Sequence, residues 1–206
     1  MTRIGGALVK KLVIKVGGAL LADKAKFAAL CQSLCALQLE HHIALVHGGG
    51  DVAQDWLQQL GKQSEKCDGV RVTPADHLPF VVGALAGAVN TEICASLLHN
   101  KVQPVGLTLL DGGICKAHPL DAKFGNVASV TANSDILLLT LFEAGFIPVI
   151  SSIAAKDGEL LNVNADDAAV AIAQLLSAEL LLLTDVPGVL DAQKQLIPEL
   201  TSDDIN

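Results

Sequence analysis

The stretch "ALVHGGGDVAQDWLQQL", residues 44–60, joins a short apolar run to a helical pattern through three consecutive glycines. Glycine loses more backbone freedom on folding than any other residue, so ordering three in a row is costly. One glycine satisfies a tight turn between strand and helix. Three of them in that position let backbone N–H groups approach an anion closely, and the helix N-terminus adds positive partial charge. Gly48, Gly49 and Gly50 therefore favour an anion-binding loop over a plain turn. No G-K-[ST] follows, so the loop is not of the Walker A type, and it is not a G-x-G-x-x-G dinucleotide fingerprint either.

The same strand-to-helix alternation extends outward in both directions. "KLVIKVGG" (11–18) is a β-branched run ending in glycines, followed by a helical stripe over Lys24–Leu39 with Phe27, Leu30, Cys31 and Leu34. "IALVH" (43–47), "PVGLTL" (104–109), "FIPVISS" (146–152) and "ELLLLTD" (179–185) read as further strands. Helices are expected over 50–60, near 134–144 and near 166–176, and from Thr73 as N-cap with Pro74 at the first position to about Asn100. Segments 62–76 and 111–130 read as hairpin excursions. Alternating strands and helices imply an α/β fold with a mainly parallel central sheet sandwiched between helices. Burial of both sheet faces accounts for an apolar fraction of 51% and a mean hydropathy of +0.48.

The chain has 206 residues, enough for a sizeable core, and five cysteines with no zinc or redox spacing. Cys31 and Cys35 fall on one helix face as small core residues, and reduced thiols fit a cytoplasmic protein. A net charge of −8 argues against a nucleic-acid surface but not against one small anion in a local pocket. The longest stretch free of charge and histidine, Leu78–Thr91, is shorter than the ~20 residues of a membrane span, and it reads as a buried helix. The N-terminus lacks the pattern of a signal peptide. The six histidines have no metal-ligand spacing, so no metal site is expected.

Ligands of open α/β sheets bind beyond the carboxyl ends of the strands. Three such ends here are "KVGGAL", "VHGGGD" and "LLTDVPGVLD". Lys15 is a lone cation in an apolar strand, on the face that carries Val13; a paired interior charge and a strand-end lysine reaching solvent are level readings. Asn162, Asn164, Asp166 and Asp167 crowd one helix start, where capping needs one of them, so the surplus implies a site. Thr184 and Asp185 project from a strand end, or serve a turn made by Pro187 and Gly188. Arg71 is either a surface arginine on a hairpin or a bidentate carboxylate clamp. His47 is better suited to holding the glycine turn than to acid–base work.

Taken together, "KLVIKVGGALL", "ALVHGGG", "GVRVTPAD", "GALAGAVN", "LNVNADDAA" and "LLLLTDVPGVL" resemble the acetylglutamate kinases of the amino acid kinase superfamily. The resemblance covers nearly the whole chain, and "RVTPAD" with "NVNAD" is its most specific part. It implies an amino acid kinase-like fold with hairpins over the substrate, and ATP-dependent phosphorylation of the side-chain carboxylate of N-acetyl-L-glutamate in arginine biosynthesis. Carried over by position, Lys15 would hold the transferring phosphoryl group and Asp166 would orient the catalytic lysines. Gly17, Gly18, Gly48 and Gly49 would donate N–H bonds to phosphates or to the reacting carboxylate, and Arg71, Asn162 and Lys66 would hold the substrate. Thr184, Asp185, Val186, Pro187, Gly188, Val189 and Leu190 would touch the nucleotide. ATP would arrive with Mg2+ as co-substrate, no cofactor would be tightly bound, and the enzyme would be a homodimer.

Two departures qualify these expectations. The family continues past "TSDDIN" into a "GMxxK" segment with a second catalytic lysine, and this chain has none; Lys194 does not match it. The expected division is a single domain over 1–206, with a substrate half over roughly 1–178 and the start of a nucleotide half over 179–206. A non-catalytic acetylglutamate-binding module is therefore one alternative, and a glutamate, aspartate, carbamate or UMP kinase is the other. Only about ten residues precede the first strand, so the extra N-terminal helix of arginine-inhibited members is lacking and an arginine-insensitive enzyme is expected.

Overall fold

The runs "KKLVIKV" and "HHIALVH" are apolar on both faces, which suits strands covered from both sides, and they lie side by side in parallel. The computed structural model of the protein describes residues 3–4, 7–67, 70–184, 188, 191, 193 and 195–199. In chain order, a short antiparallel pair, β1 (Arg3–Ile4) and β2 (Ala7–Leu8), leads into β3 (Lys10–Val16), α1 (Gly18–Ala22), α2 (Lys24–Leu37), β4 (His41–His47) and α3 (Gly50–Gln59). The hairpin β5 (Lys66–Cys67) and β6 (Val70–Arg71) precedes a continuous helical rod made of α4 (Leu78–Val82), a π-helical stretch (Gly83–Val89) and α5 (Asn90–His99). Then come β7 (Pro104–Thr108), β8 (Cys115–Pro119), β9 (Val127–Ala132), α6 (Ile136–Glu143), β10 (Ile147–Ser151), β11 (Ile153–Lys156), β12 (Glu159–Val163), α7 (Ala165–Leu176) and β13 (Glu179–Leu183).

Five strands form a parallel sheet in the order β13-β3-β4-β10-β7. Alternate side chains of its central strands divide between two cores. Val13, Ala44, Val46 and Ile150 pack under Leu138 and Phe142 of α6 and the alanine-rich face of α7. Ile14, Val16, Ile43, Leu45 and Val149 pack under Phe27, Cys31 and Leu34 of α2 and Ile93 and Leu97 of α5. The expected α/β sandwich is thus the observed one, with Cys31 fully buried. The rod Leu78–His99 is long and apolar enough, by length and composition, to cross a membrane; here Val81, Leu85, Val89, Ile93 and Leu97 are buried against the fold. Asp23 starts α2 by accepting from Ala25 and Lys26 N–H at 3.1 Å, and Asn164 starts α7 by accepting from Asp166 N–H at 2.7 Å.

A second sheet, β11-β12-β9-β8, sits beside the first; β9 and β12 run parallel, and the outer pairs are antiparallel. Segments 62–76 and 111–130 hold the expected hairpin strands, and the hairpin β11–β12 adds a third that the apolar pattern did not signal. Its turn, Asp157-Gly158, has φ of +52° and +86°, the two-residue signature of a tight hairpin.

The helix expected from Thr73 begins instead at Leu78, and Thr73 does not cap it. The reason is that the Thr73 backbone is already paired. Its N–H donates to Phe124 O at 2.9 Å, and Asn126 N–H donates to its carbonyl at 2.7 Å. This bridge ties the strand after the hairpin β5–β6 to the second sheet beside Gly125.

Gly125 makes the bridge sterically demanding. Its φ is +69°, and a Cβ there would lie 2.4 Å from the Thr73 carbonyl oxygen. Gly145 has φ +80°, and a Cβ there would meet nothing within 4 Å. Gly145→Ala should therefore lose only the left-handed backbone preference, about 1 kcal/mol, whereas Gly125→Ala should lose about 3 kcal/mol. Urea unfolding of the two variants beside the wild type measures the difference.

Candidate active site

Because β3, β4 and β13 are parallel neighbours, their carboxyl ends open on one edge of the sheet. Lys15 sits opposite Val46 and Leu182 in register, and it points to the face that α7 covers. Its side chain is 14% exposed, and its Nζ lies 2.9 Å from Asp166 Oδ1 in the first turn of α7. Of the two readings of Lys15, the paired interior charge is the observed one. A buried ammonium needs such a partner, since unpaired burial of a charge is expensive.

The chain after β3 turns sharply at Gly17 and Gly18. Gly17 N–H donates to Leu183 O at 3.2 Å, which closes the strand end against β13. A Cβ on Gly18 would fall 2.6 Å from Asp51 Oδ2, so only glycine allows this approach. Between them lies a cavity of about 250 Å3 lined by Lys15, Gly17, Gly18, Asp51, Leu183 and Thr184. A larger cavity of about 610 Å3 behind the glycine loop is apolar, walled by Phe27, Val52, Val89 and Ile93 among others. The smaller one holds the cation and the converging backbone, and it is the better seat for a phosphate.

The glycine triplet forms the adjoining wall. Gly48 follows His47 at the end of β4, Gly49 stands at the N-cap of α3, and Gly50 is its first residue. No side chain caps α3, which leaves its first N–H groups to other acceptors. A Cβ on Gly49 would approach Val89 Cγ2 to 3.0 Å, so the loop is pressed against the helical rod. His47 is fully buried, and its Nδ1 lies 2.6 Å from the Gly48 carbonyl. Burial pushes the imidazole pKa down to about 4, the Gly48 carbonyl partly opposing it, so His47 is neutral at physiological pH. That excludes the general-acid role and fits the turn-holding one.

On the other side stand the hairpin β5–β6 and β12. Arg71 Nη2 donates to Gly50 O at 3.0 Å, and Nη1 donates to Ser64 Oγ. Arg71 is half-buried; burial lowers its pKa and the nearby Asp51 carboxylate raises it, and the guanidinium stays charged. Lys66 is the cross-strand partner of Arg71, which puts two cations on one face of a short hairpin. Like charges directly opposite are destabilising, and a bound anion would relieve them. Asn162 is 9% exposed and donates through Nδ2 to Thr73 Oγ1 at 3.2 Å.

The fold thus brings Lys15, Asp166, Gly17, Gly18, Gly48, Gly49, Arg71, Lys66 and Asn162 to the same end of the sheets, with Thr184 at the cavity. Gly188 has φ +149° and packs toward Leu196; Asp185, Val186, Pro187, Val189 and Leu190 lie outside the described residues. Asp51, Ser64 and Thr73 belong to this neighbourhood and were not expected there. Their only sequence signal was their position beside the glycines and Arg71. Among the described residues, no group of three or more His, Cys, Asp or Glu could hold a metal ion.

Residues 10–206 match the model of the amino acid kinase family. The chain belongs to that family. As a family member it is 44% identical over 192 residues to the acetylglutamate kinase of Aeromonas salmonicida, covering 92% of this chain and 74% of that one. It is 46% identical over 197 residues to the acetylglutamate kinase of Mannheimia succiniciproducens, covering 94% and 77%. A crystal structure from Streptococcus mutans UA159 superposes with a TM-score of 0.79 at 28% identity, over 90% of this chain and 76% of that one. An N-acetylglutamate synthase of Neisseria gonorrhoeae shares the fold, with a TM-score of 0.76 at 24% identity, over 91% of this chain and 44% of that one.

The buried His47 has a thermodynamic consequence. The folded imidazole protonates near pH 4 and the unfolded one near 6.5. Between those values the unfolded chain holds the extra proton, so stability falls as the pH falls through this window. The full effect is about 3 kcal/mol. Urea unfolding at pH 7 and pH 4.5 should show His47→Asn losing about 2 kcal/mol less than the wild type across this interval.

Proposed function

We propose that this chain is an acetylglutamate kinase, transferring the γ-phosphoryl group of ATP to the side-chain carboxylate of N-acetyl-L-glutamate in arginine biosynthesis. The observation that carries the reading is the Lys15–Asp166 pair at the mouth of two glycine loops, opposite Arg71 and Asn162, in a chain 44% identical to a curated acetylglutamate kinase.

The chemistry requires no protein nucleophile. A substrate carboxylate oxygen attacks the γ-phosphorus while the bond to the β-phosphate oxygen breaks; the products are an acyl phosphate and ADP, and no proton changes hands. Catalysis then consists of alignment and charge neutralisation. Lys15 neutralises the transferring group, and Asp166 fixes its ammonium. The N–H groups of Gly17, Gly18, Gly48 and Gly49 receive phosphate or carboxylate oxygens. Arg71, with Lys66 and Asn162, holds the substrate's α-carboxylate and its neighbours. Thr184 to Leu190 contact the nucleotide, so that residues from 179 onward begin a nucleotide half and those before it make the substrate half.

Mg2+ takes oxygen ligands, and the donors here suit an ion carried in by ATP: the cavity offers the Asp51 carboxylate but no cage. Bound so, Mg2+ would neutralise phosphate charge. The functional unit is a homodimer, and sedimentation of the purified chain tests that.

Hydroxylamine trapping with ATP, Mg2+ and a panel of acceptors tests the reaction. Hydroxamate should form with N-acetylglutamate and not with glutamate, aspartate or carbamate; hydroxamate with another acceptor would overturn the assignment. Arg71→Ala should raise the acetylglutamate KM by roughly ten-fold or more with the ATP KM little changed. Asp166→Asn should lower kcat by about a hundred-fold. An equal rise of both KM values in Arg71→Ala would remove Arg71 from the substrate clamp.

A further inference from the structure

We infer that Asn90 is a positioning residue for this reaction, acting through His47 to lock the glycine loop. Asn90 opens α5, directly after the π-helical stretch Gly83–Val89, and it is 5% exposed. Its Nδ2 donates to Val149 O at 2.9 Å on the central strand β10 and lies 3.0 Å from His47 Nε2. An amide nitrogen has two hydrogens and no lone pair to offer, so Nε2 of His47 must accept. The ring proton of neutral His47 is then on Nδ1, and it donates to the Gly48 carbonyl at 2.6 Å. The opposite placement of the Asn90 amide would set Oδ1 against two carbonyl oxygens, those of Val149 and Leu107. The sheet interior therefore dictates the tautomer, and the tautomer dictates what the glycine loop can do.

The loop's geometry completes the link. In a trans peptide the C=O and the N–H point in opposite directions. Holding the Gly48 carbonyl toward His47 thus fixes the Gly49 N–H away from it, one of the donors assigned above to the reacting oxygens. A second observation supports this role independently. A Cβ on Gly106 of β7 would lie 2.2 Å from Asn90 Oδ1, so the mid-strand glycine leaves the space that this amide needs. The pKa of about 4 on His47 agrees, because a ring clamped as acceptor at Nε2 resists a second proton.

The kinetic part of the test rests on the kinase reading; the spectroscopic part does not. Long-range 1H–15N correlation spectra of the full chain should show His47 protonated at Nδ1, and Asn90→Leu should shift it toward the Nε2 form. Asn90→Leu and Gly106→Ala should each lower kcat about ten-fold or more with both KM values nearly unchanged. His47→Asn, whose amide nitrogen falls near Nδ1, should retain more kcat than His47→Gln, whose amide nitrogen falls near Nε2. Gly106→Ala leaves both polar side chains in place and carries the test if Asn90→Leu does not fold. An Nε2–H tautomer in the wild type would overturn the inference. So would wild-type kcat in Gly106→Ala and Asn90→Leu, or equal losses in the two His47 variants. If the wild type makes no hydroxamate, the kinase reading fails and the tautomer decides alone.

Discussion

An ammonium group held inside a strand is the constraint on which the rest of this site depends. Lys15 is nearly buried in β3, and Asp166, at the first turn of a helix far along the chain, keeps it charged. That pairing requires α7 to start at one particular end of the sheet, with its Asn164 cap in place. It also leaves the ammonium beside Gly17 and Gly18, where no side chain intervenes. A lysine paired in this way is poised toward any further negative charge that approaches, because the carboxylate holds it on one side only.

The parallel sheet was legible because its strands are apolar on both faces and end in glycine or polar clusters. Lys15 stood out for the same reason: it interrupts such a strand. Its partner was not legible, since four polar residues crowd the start of α7 and periodicity does not separate a cap from a site residue. The structure divides the labour, with Asn164 capping and Asp166 pairing. Thr73 misled because Thr-Pro is a strong local helix-start signal, and a long-range bridge to residues 124–126 outweighs it. The hairpin at Asp157-Gly158 was written in the sequence and overlooked, as its flanking strands are too apolar to show a clean two-residue period.

The polar residues inside the fold follow a common arrangement. His47, Asn90, Thr73 and Asn162 are all buried, and each spends its hydrogen bonds on a backbone carbonyl or on another member of the group. Such groups are costly when unsatisfied, so their geometry is narrow. They stand behind the glycines, Arg71 and the substrate-side strand rather than among them. Rigidity at the reacting edge is thus supplied from the interior, by residues whose own chemistry is inert.

The π-helical stretch has a further consequence for how this chain can vary. A π turn carries one residue more than an α turn, so the seven residues Gly83–Val89 set the phase of everything after them in the rod. Removing one residue there would restore a regular helix and rotate the downstream half by about 100°. Asn90, Ile93 and Leu97 would leave the sheet together, and Thr91, Glu92 and Leu98 would turn inward. Residue count in this segment is consequently as constrained as residue identity: homologous chains should tolerate substitution along it far more readily than a gap.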